Sequence, residues 1–406
     1  MKVTIAKGVA RGTVAAPPSK SYAHRALICA ALANGRSTVR GIGADPGEDV
    51  LATLDCVRAL GAKAEIADDT VFVTGGAGSP SDFFPCRESG STLRFFLPPA
   101  LLRETPCRFS GSERLMERPQ DVYEEICREQ GLKFAHRVCE IEVCGPLRPG
   151  VFRARGDLSS QFFSGLMFAL PLLPEQSRVE ILPPFASRPY VQITADLLAR
   201  FGVRVDMPDP LSLVIPGGQT YRPADLAVEG DWSNAAFLEA LDLLGGKVKV
   251  TGLDERSAQG DRVYRSFFAD LAAGHPTLNV SDCPDLAPVL MALGGALHGV
   301  TLTGTSRLRV KESDRGAAMA EELAKCGVRT DLSEDSLTVH GGTLRAPEEP
   351  LNGHNDHRVV MACATLLTRT GGEIAGAGAV RKSFPGYFQT LSQLGIEVTT
   401  DGTFNR

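Results

Sequence analysis

An internal repeat constrains this chain more than any other feature of its sequence. An amphipathic helix, a glycine and a strand-like segment recur six times, with successive marker glycines 53 to 72 residues apart. The marker glycines are Gly61, Gly131, Gly202, Gly274, Gly327 and Gly395. Each glycine follows a helical pattern, as expected of a helix C-cap, and most precede strand-like residues. Such a period indicates one supersecondary unit copied along the chain.

Each repeat also contains a second helical segment that is apolar on most of its faces. These segments read HRALICAALA, STLRFFLPPALL, SSQFFSGLMFALPLL, NAAFLEALDLL, LAPVLMALGGAL and HRVVMACATLL. A helix of this kind belongs inside a core. Six strand–helix units in 406 residues therefore predict two α/β domains of three repeats each. We place them at residues 14–228 and at residues 1–13 with 229–406, and expect the opening strand KVTIAKG to pair with the second domain.

Composition excludes several classes of protein. The formal net charge of −5 disfavours a general nucleic-acid binder, which carries a basic excess. No apolar run is long enough to span a bilayer, and the N-terminus does not resemble a signal peptide. None of the ten cysteines forms a C-x-x-C pair, which favours reduced thiols in a cytoplasmic protein. Neither metal-ligand spacing nor a nucleotide-binding glycine motif is present.

The buried helices begin with polar clusters, and these carry the chemistry. The clusters read PPSKSYAHR, ESGSTLR, DLSSQ, GDWSNA, CPDLAP and NDHR. Ser, Asp and Asn there are good N-caps, and for Ser233 and Asn234 we expect only capping. Cations at helix N-termini oppose the helix dipole, yet Lys20, Arg25 and Arg94 lie there, as does Arg358. An anion bound between such cations and the free N–H groups would explain them.

Three loops add further cations and one of the two candidate acid–base carboxylates. The loops read GSERLMERP, RVKESDR and VRKSFPGYF. Any one cation among them is more often a surface ion pair, but together they favour small substrates with several phosphates or carboxylates. Asp285 is either an N-cap or a general base, and Glu312 is either a salt-bridge partner or a general acid.

Eight motifs, in order, resemble the signatures of the EPSP synthase family, the 3-phosphoshikimate 1-carboxyvinyltransferases. They are PPSKSYAHRALICAAL, ESGSTLR, GDLSSQF, SRPYVQIT, DCPDLAP, RVKESDR, NDHRVVMA and RKSFPGYF, and they run from Pro17 to Phe388. The resemblance implies an α/β fold of two similar domains, each with three β-α-β-α-β-β repeats around buried parallel helices. It also implies an active site between domains that close on substrate.

The resemblance assigns a role to each matching residue. Shikimate 3-phosphate would contact Lys20, Ser21, Arg25, Ser159, Ser160, Gln161, Ser187, Asp285 and Lys311. Phosphoenolpyruvate would contact Lys20, Gly90, Arg118, Gln161, Arg315, Arg358 and Lys382. The catalytic residues would be Asp285 as proton acceptor, with Glu312 or Lys20 as proton donor. Arg94 lies in a matched motif without an assigned contact. The reaction needs no metal and no organic cofactor.

Two positions depart from the family pattern, and the motifs disfavour the nearest rival family. Glu88 stands where the family often has Asn, and Arg307 stands where some members have a substrate-contacting Asn. Gly90 predicts sensitivity to glyphosate, which competes with phosphoenolpyruvate in this family. UDP-N-acetylglucosamine enolpyruvyl transferases share the fold, but GSERLMERP lacks their reactive Cys. The family resemblance also implies a monomer. The lack of a transit-peptide pattern favours the cytoplasm, and the acidic charge and short apolar runs predict no nucleic-acid or membrane partner.

Overall fold

The computed structural model describes residues 1–401, which form two compact units. The central unit comprises Pro18–Glu229. The split unit comprises Met1–Pro17 together with the chain from Gly230 onwards. The split unit therefore combines the start of the chain with its last described residues, and the central unit is the continuous stretch between them.

The described chain alternates short strands with helices. The strands are β1 Lys2–Ile5, β2 Arg11–Ala15, β3 Gly35–Arg40, β4 Lys63–Ala67, β5 Thr70–Gly75, β6 Phe83–Pro85, β7 Cys107–Ser110, β8 Lys133–Arg137, β9 Glu140–Cys144, β10 Val151–Arg155, β11 Ser177–Leu182, β12 Asp206–Asp209, β13 Ser212–Ile215, β14 Asp225–Ala227, β15 Lys247–Thr251, β16 Thr277–Asn279, β17 Gly299–Thr303, β18 Thr330–Leu332, β19 Ser336–His340, β20 Leu351–Asn352, β21 Gly372–Ala375 and β22 Val398–Thr400. The helices are α1 Lys20–Leu32, α2 Glu48–Ala59, α3 Gly90–Ala100, α4 Glu113–Glu117, α5 Asp121–Gln130, α6 Ser160–Ala169, α7 Arg188–Arg200, α8 Trp232–Leu243, α9 Tyr264–Ala273, α10 Ala287–Ala296, α11 Arg315–Lys325, α12 His357–Thr370 and α13 Tyr387–Gln393. Short 3₁₀ turns cover 170–172, 260–263, 284–286, 306–310 and 377–382.

The central unit contains three four-stranded sheets of one topology. Their strand orders are β14-β3-β5-β4, β6-β7-β9-β8 and β10-β11-β13-β12. In each, the first two strands are parallel and the remaining pairs are antiparallel. The recurrence of one sheet topology is the structural form of the sequence repeat.

The split unit follows the same plan with two changes. The sheet β16-β17-β19-β18 is a full copy, whereas β15-β2 is reduced to two parallel strands. In the sheet β20-β21-β1-β22, the third strand is β1 from the start of the chain. The predicted pairing of the opening strand with the later part of the chain is confirmed.

Apolar helices form the core of each unit, as the sequence predicts. Most residues of α1, α3 and α6 are buried in the central unit. The same holds for α8, α10 and α12 in the split unit. The more polar helices α5, α7 and α11 bury only one stripe each. Within residues 1–401, no helix is both long and apolar enough to cross a bilayer.

Two local predictions are wrong. Asp231, rather than Ser233 or Asn234, caps α8: its carboxylate accepts from the Asn234 amide at 2.7 Å. Asp231 immediately precedes α8, so its carboxylate oxygen can accept from the free backbone N–H groups of the first turn. Gly274 is extended at φ 166°, whereas Gly131 and the other four marker glycines have the positive φ of a left-handed cap.

Candidate active site

Arg25 lies at the centre of a polar cluster in the central unit. Its guanidinium donates to Thr194 Oγ1 at 2.7 Å, to the Ser21 carbonyl at 2.8 Å and to Ser164 Oγ at 3.2 Å. The guanidinium also lies 4.7 Å from the centre of the Phe95 ring. Burial lowers the pKa of Arg25 to about 10, so it remains a cation at neutral pH. The contacts link α1 to α6 and α7.

Gln161 joins the N-termini of α3 and α6. Its amide donates to Ser91 Oγ at 2.9 Å, and its carbonyl accepts from Arg94 at 2.8 Å. Arg94 also donates to the Pro119 carbonyl at 2.8 Å. Ser159 caps α6 by accepting from the Gln161 amide at 3.3 Å. Arg94, which has no assigned substrate contact, is thus a support for Gln161.

Gly90 opens α3 against the guanidinium of Arg118. A Cβ at Gly90 would lie 2.5 Å from Arg118 Nη1 and 2.9 Å from its Cζ, closer than real Cβ contacts allow. Arg118 is buried, and its Nε has no hydrogen-bond partner within the described residues. A buried guanidinium with an unused donor is suited to bind an anion.

The remaining residues predicted for the central unit lie at helix starts. Lys20 is the first residue of α1, and its ammonium lies 2.7 Å from Asp49 Oδ2 on α2. Ser160 is buried as the first residue of α6. Ser187 is buried immediately before α7 in a left-handed conformation with φ 59°. Sequence reasoning missed Asp49, because an acidic residue in the first turn of a helix is ordinary.

In the split unit, Asp285 accepts from three cations. Arg315 Nη1 lies 2.6 Å from its carboxylate, and Lys311 Nζ and Arg358 Nη2 lie 3.3 Å from it. Asp285 lies in the 3₁₀ turn before α10, and the N-cap positions of this turn and of α10 are Cys283 and Leu286. Asp285 is therefore not the N-cap residue of either helix, and its carboxylate belongs to a charged cluster.

Arg315 connects three carboxylates. Besides Asp285, it donates to Glu312 at 2.9 Å and to Asp356 at 2.8 Å. Burial alone would lower the pKa of Arg315, but Asp356, Glu312 and Asp285 together raise it well above its usual range. Glu312 thus makes the predicted salt bridge, and the same carboxylate stays the candidate general acid. Sequence reasoning missed Asp356, although it lies within the quoted NDHR motif and caps α12 through the Arg358 amide.

Two lysines complete this cluster. Burial lowers the pKa of Lys311 to about 8, with Arg315 acting in the same direction and Asp285 opposing it. Lys382 is buried, and its ammonium donates to the Asn355 carbonyl at 2.5 Å. Arg358 is buried, and its Nε and Nη1 have no hydrogen-bond partner within residues 1–401. The cluster therefore offers convergent cations and unused donors to an anionic ligand.

Arg114 and Arg381 lie in the quoted loop motifs, and Arg307 is a position that departs from the family pattern. Arg381 is exposed, whereas Arg114 is partly buried and pairs with Glu117 at 3.4 Å. Arg307 is buried, with Nη1 3.5 Å from the Ser281 carbonyl.

Comparison with known proteins identifies the family. The family model of EPSP synthase, 3-phosphoshikimate 1-carboxyvinyltransferase, matches residues 6–391. A 3-phosphoshikimate 1-carboxyvinyltransferase from Clostridium kluyveri is 38% identical, over 95% of this chain and 96% of its own length. One from Clostridium perfringens is 36% identical, over 97% of this chain and 98% of its own length.

Solved structures share the fold. An EPSP synthase from Acinetobacter baumannii superposes with a TM-score of 0.76 at 22% identity, over 98% of this chain and all of that one. An enolpyruvyl transferase from Streptomyces tendae gives a TM-score of 0.79 at 15% identity, over 98% of each chain. The match of the family model to nearly the whole sequence, and the identity with full-length relatives, show that this chain belongs to the EPSP synthase family.

Proposed function

We propose that this protein transfers the enolpyruvyl group of phosphoenolpyruvate to the 5-hydroxyl of shikimate 3-phosphate and releases inorganic phosphate. Family membership and the names of the full-length relatives support this reaction. The contact geometry supports it independently, because buried cations in both units suit substrates that carry two phosphates and two carboxylates.

The observation that carries the proposal is the set of cations around Asp285. Lys311, Arg315 and Arg358 contact one carboxylate at 2.6 to 3.3 Å, and they stabilise its ionised form. An ionised carboxylate is the form that a general base needs. When a substrate anion takes over some of these cations, the carboxylate becomes available to remove the proton of the 5-hydroxyl.

The proposed chemistry is addition followed by elimination. The 5-hydroxyl oxygen bonds to C2 of phosphoenolpyruvate and gives its proton to Asp285, while C3 gains a proton from Glu312 or Lys20. The tetrahedral intermediate then loses phosphate as C3 returns a proton. Arg315, Arg358 and the other cations stabilise the charge that develops on phosphate and carboxylate oxygens.

The remaining residues bind and orient the substrates. We assign Ser21, Arg25, Ser159, Ser160, Ser187 and Lys311 to shikimate 3-phosphate, and Gly90, Arg118, Arg315, Arg358 and Lys382 to phosphoenolpyruvate. Lys20 and Gln161 serve both. The central unit then mainly binds shikimate 3-phosphate, whereas the split unit supplies the catalytic carboxylates and most of the cations for phosphoenolpyruvate. Such alignment of two substrates lowers the entropic part of the barrier.

The test compares Asp285→Asn with Asp282→Asn, its exposed neighbour. Phosphorus NMR follows conversion of phosphoenolpyruvate to inorganic phosphate in the presence of shikimate 3-phosphate. We expect the wild type and the Asp282 variant to turn over alike, and the Asp285 variant to be slower by about 10²–10⁴-fold, the usual contribution of a general base. Near-normal turnover by Asp285→Asn would contradict its role, and no conversion by the folded wild type would contradict the function.

A further inference from the structure

Helix α11 holds the loop between β20 and α12 at two points. Arg315 and Glu322 are seven residues apart on α11, so they lie on the same face of the helix. Arg315 binds Asp356, the last residue of the loop. Glu322 binds the other end of the loop, and nothing in the sequence analysis assigns it a role.

Glu322 is a fully buried carboxylate with several donors. Its Oε2 accepts from the Asn352 amide at 2.8 Å, and its Oε1 lies 2.7 Å from His354 Nε2. Lys325 Nζ lies 3.0 Å from one oxygen and 3.2 Å from the other. Glu321 is close to His354 as well, but the Lys325 ammonium at this carboxylate favours an ion-pair network over a metal site.

The held loop has an unusual backbone. His354 and Asn355 have φ of 48° and 50°, the left-handed region that non-glycine residues seldom occupy. Such conformations persist only where surrounding contacts fix them. Glu322 supplies two of those contacts, one to the backbone and one to a side chain.

The loop in turn contacts the cations assigned to phosphoenolpyruvate or the helix that bears them. The Asn355 carbonyl accepts from Lys382, and Asp356 binds Arg315 while capping the helix that bears Arg358. A shift of this loop would therefore displace all three cations together.

We propose that Glu322 is a positioning residue that sets the phosphoenolpyruvate cations Lys382, Arg315 and Arg358 through the loop at residues 352–356. The inference rests on the proposed function, because it assigns these cations to phosphoenolpyruvate. Glu322 acts through the backbone of the loop and touches no substrate itself.

Glu322→Gln tests the proposal with little change in shape. An amide nitrogen at either oxygen position would face the Lys325 ammonium, so the contact becomes repulsive. We expect the KM for phosphoenolpyruvate to rise by about 10–100-fold, because its binding groups would be displaced by up to about 1 Å. The KM for shikimate 3-phosphate should stay unchanged. Glu321→Gln, on the exposed side of the same helix, is the matched control and should behave as wild type.

His354→Asn provides a second test if the first variant folds poorly. Asn also tolerates the left-handed conformation, but it is too short to keep the bond to Glu322. It should raise the KM for phosphoenolpyruvate in the same direction. An unchanged KM for phosphoenolpyruvate in both variants, or equal changes in both substrates' KM values, would overturn the positioning role. Absence of wild-type turnover would instead overturn the proposed function.

Discussion

At the scale of single residues, the predicted site residues include buried cations whose charge is offset by close hydrogen bonds and ion pairs. Arg25, Arg315 and Arg358 are almost wholly buried, yet each donates to oxygen atoms at 2.6 to 3.3 Å. Burying a cation is costly unless hydrogen bonds and opposite charges offset the lost hydration. Buried cations of this kind are expected where a protein binds an anionic ligand. Two predictions about substrate binding follow.

The first prediction concerns Gly90. In Gly90→Ala the new methyl group would push away the Arg118 guanidinium, the flexible end of a long side chain, so the fold should survive. We expect the KM for phosphoenolpyruvate to rise by about tenfold, since about 1.4 kcal/mol of binding is a modest loss for one displaced ion contact. Inhibition by glyphosate should weaken as well. Gly150→Ala, where a Cβ meets nothing within 4 Å, is the control. Unweakened inhibition of the Gly90 variant would count against the assignment.

The second prediction concerns Lys311, whose pKa is lowered to about 8. Below that pH the side chain is an ammonium that can bind phosphate, and above it the charge is lost. Hence kcat/KM for shikimate 3-phosphate should fall as the pH rises through about 8. Lys311→Arg keeps its charge at these pH values, so its profile should lack this decline. An identical alkaline decline in both proteins would exclude Lys311 as its source.

At the scale of elements, sequence patterns predicted helices better than their caps. The amphipathic segment that precedes Gly131 is α5, and Gly131 is its left-handed cap, because apolar spacing and a terminal glycine agree. The N-cap predicted for α8 was wrong because Asp231, Ser233 and Asn234 are all good N-cap residues. Choosing among adjacent capping residues requires the backbone geometry.

The cap assignment makes the third prediction. Asp231→Ala removes the acceptor for the Asn234 amide and should lower the free energy of unfolding by about 1 kcal/mol. Ser233 is buried but caps nothing, and its hydroxyl has no partner within the described residues. Ser233→Ala should therefore be close to neutral. Urea denaturation of both variants would check this, and a larger loss in the Ser233 variant would restore the original prediction.

At the scale of the whole molecule, the repeat predicted the number of supersecondary units and the pairing of the opening strand. Glycine-marked helices and apolar segments were sufficient to count the units, because both patterns recur. The pattern did not reveal the supports of the site. Asp49 and Glu322 are ordinary helical acids by sequence, and only folding brings them to Lys20 and His354.

The fourth prediction follows from the place of β1 in its sheet. Ile5 is fully buried where β1 pairs with β21 and β22, whereas Thr4 is exposed. Ile5→Ala should lower the free energy of unfolding by about 2–5 kcal/mol, and Thr4→Ala by much less. Hydrogen exchange should accelerate in the split unit more than in the central unit. Uniform acceleration across both units would contradict an effect confined to this sheet.

The most direct test of the proposed function is phosphate release from phosphoenolpyruvate with different acceptors. Purified, folded protein is supplied with shikimate 3-phosphate, with UDP-N-acetylglucosamine, or with no acceptor. We predict release with shikimate 3-phosphate alone, in a one-to-one ratio to acceptor consumed. Release that depended on the sugar nucleotide instead would keep the fold but contradict the proposed substrate. If neither acceptor led to phosphate release, enolpyruvyl transfer itself would be contradicted.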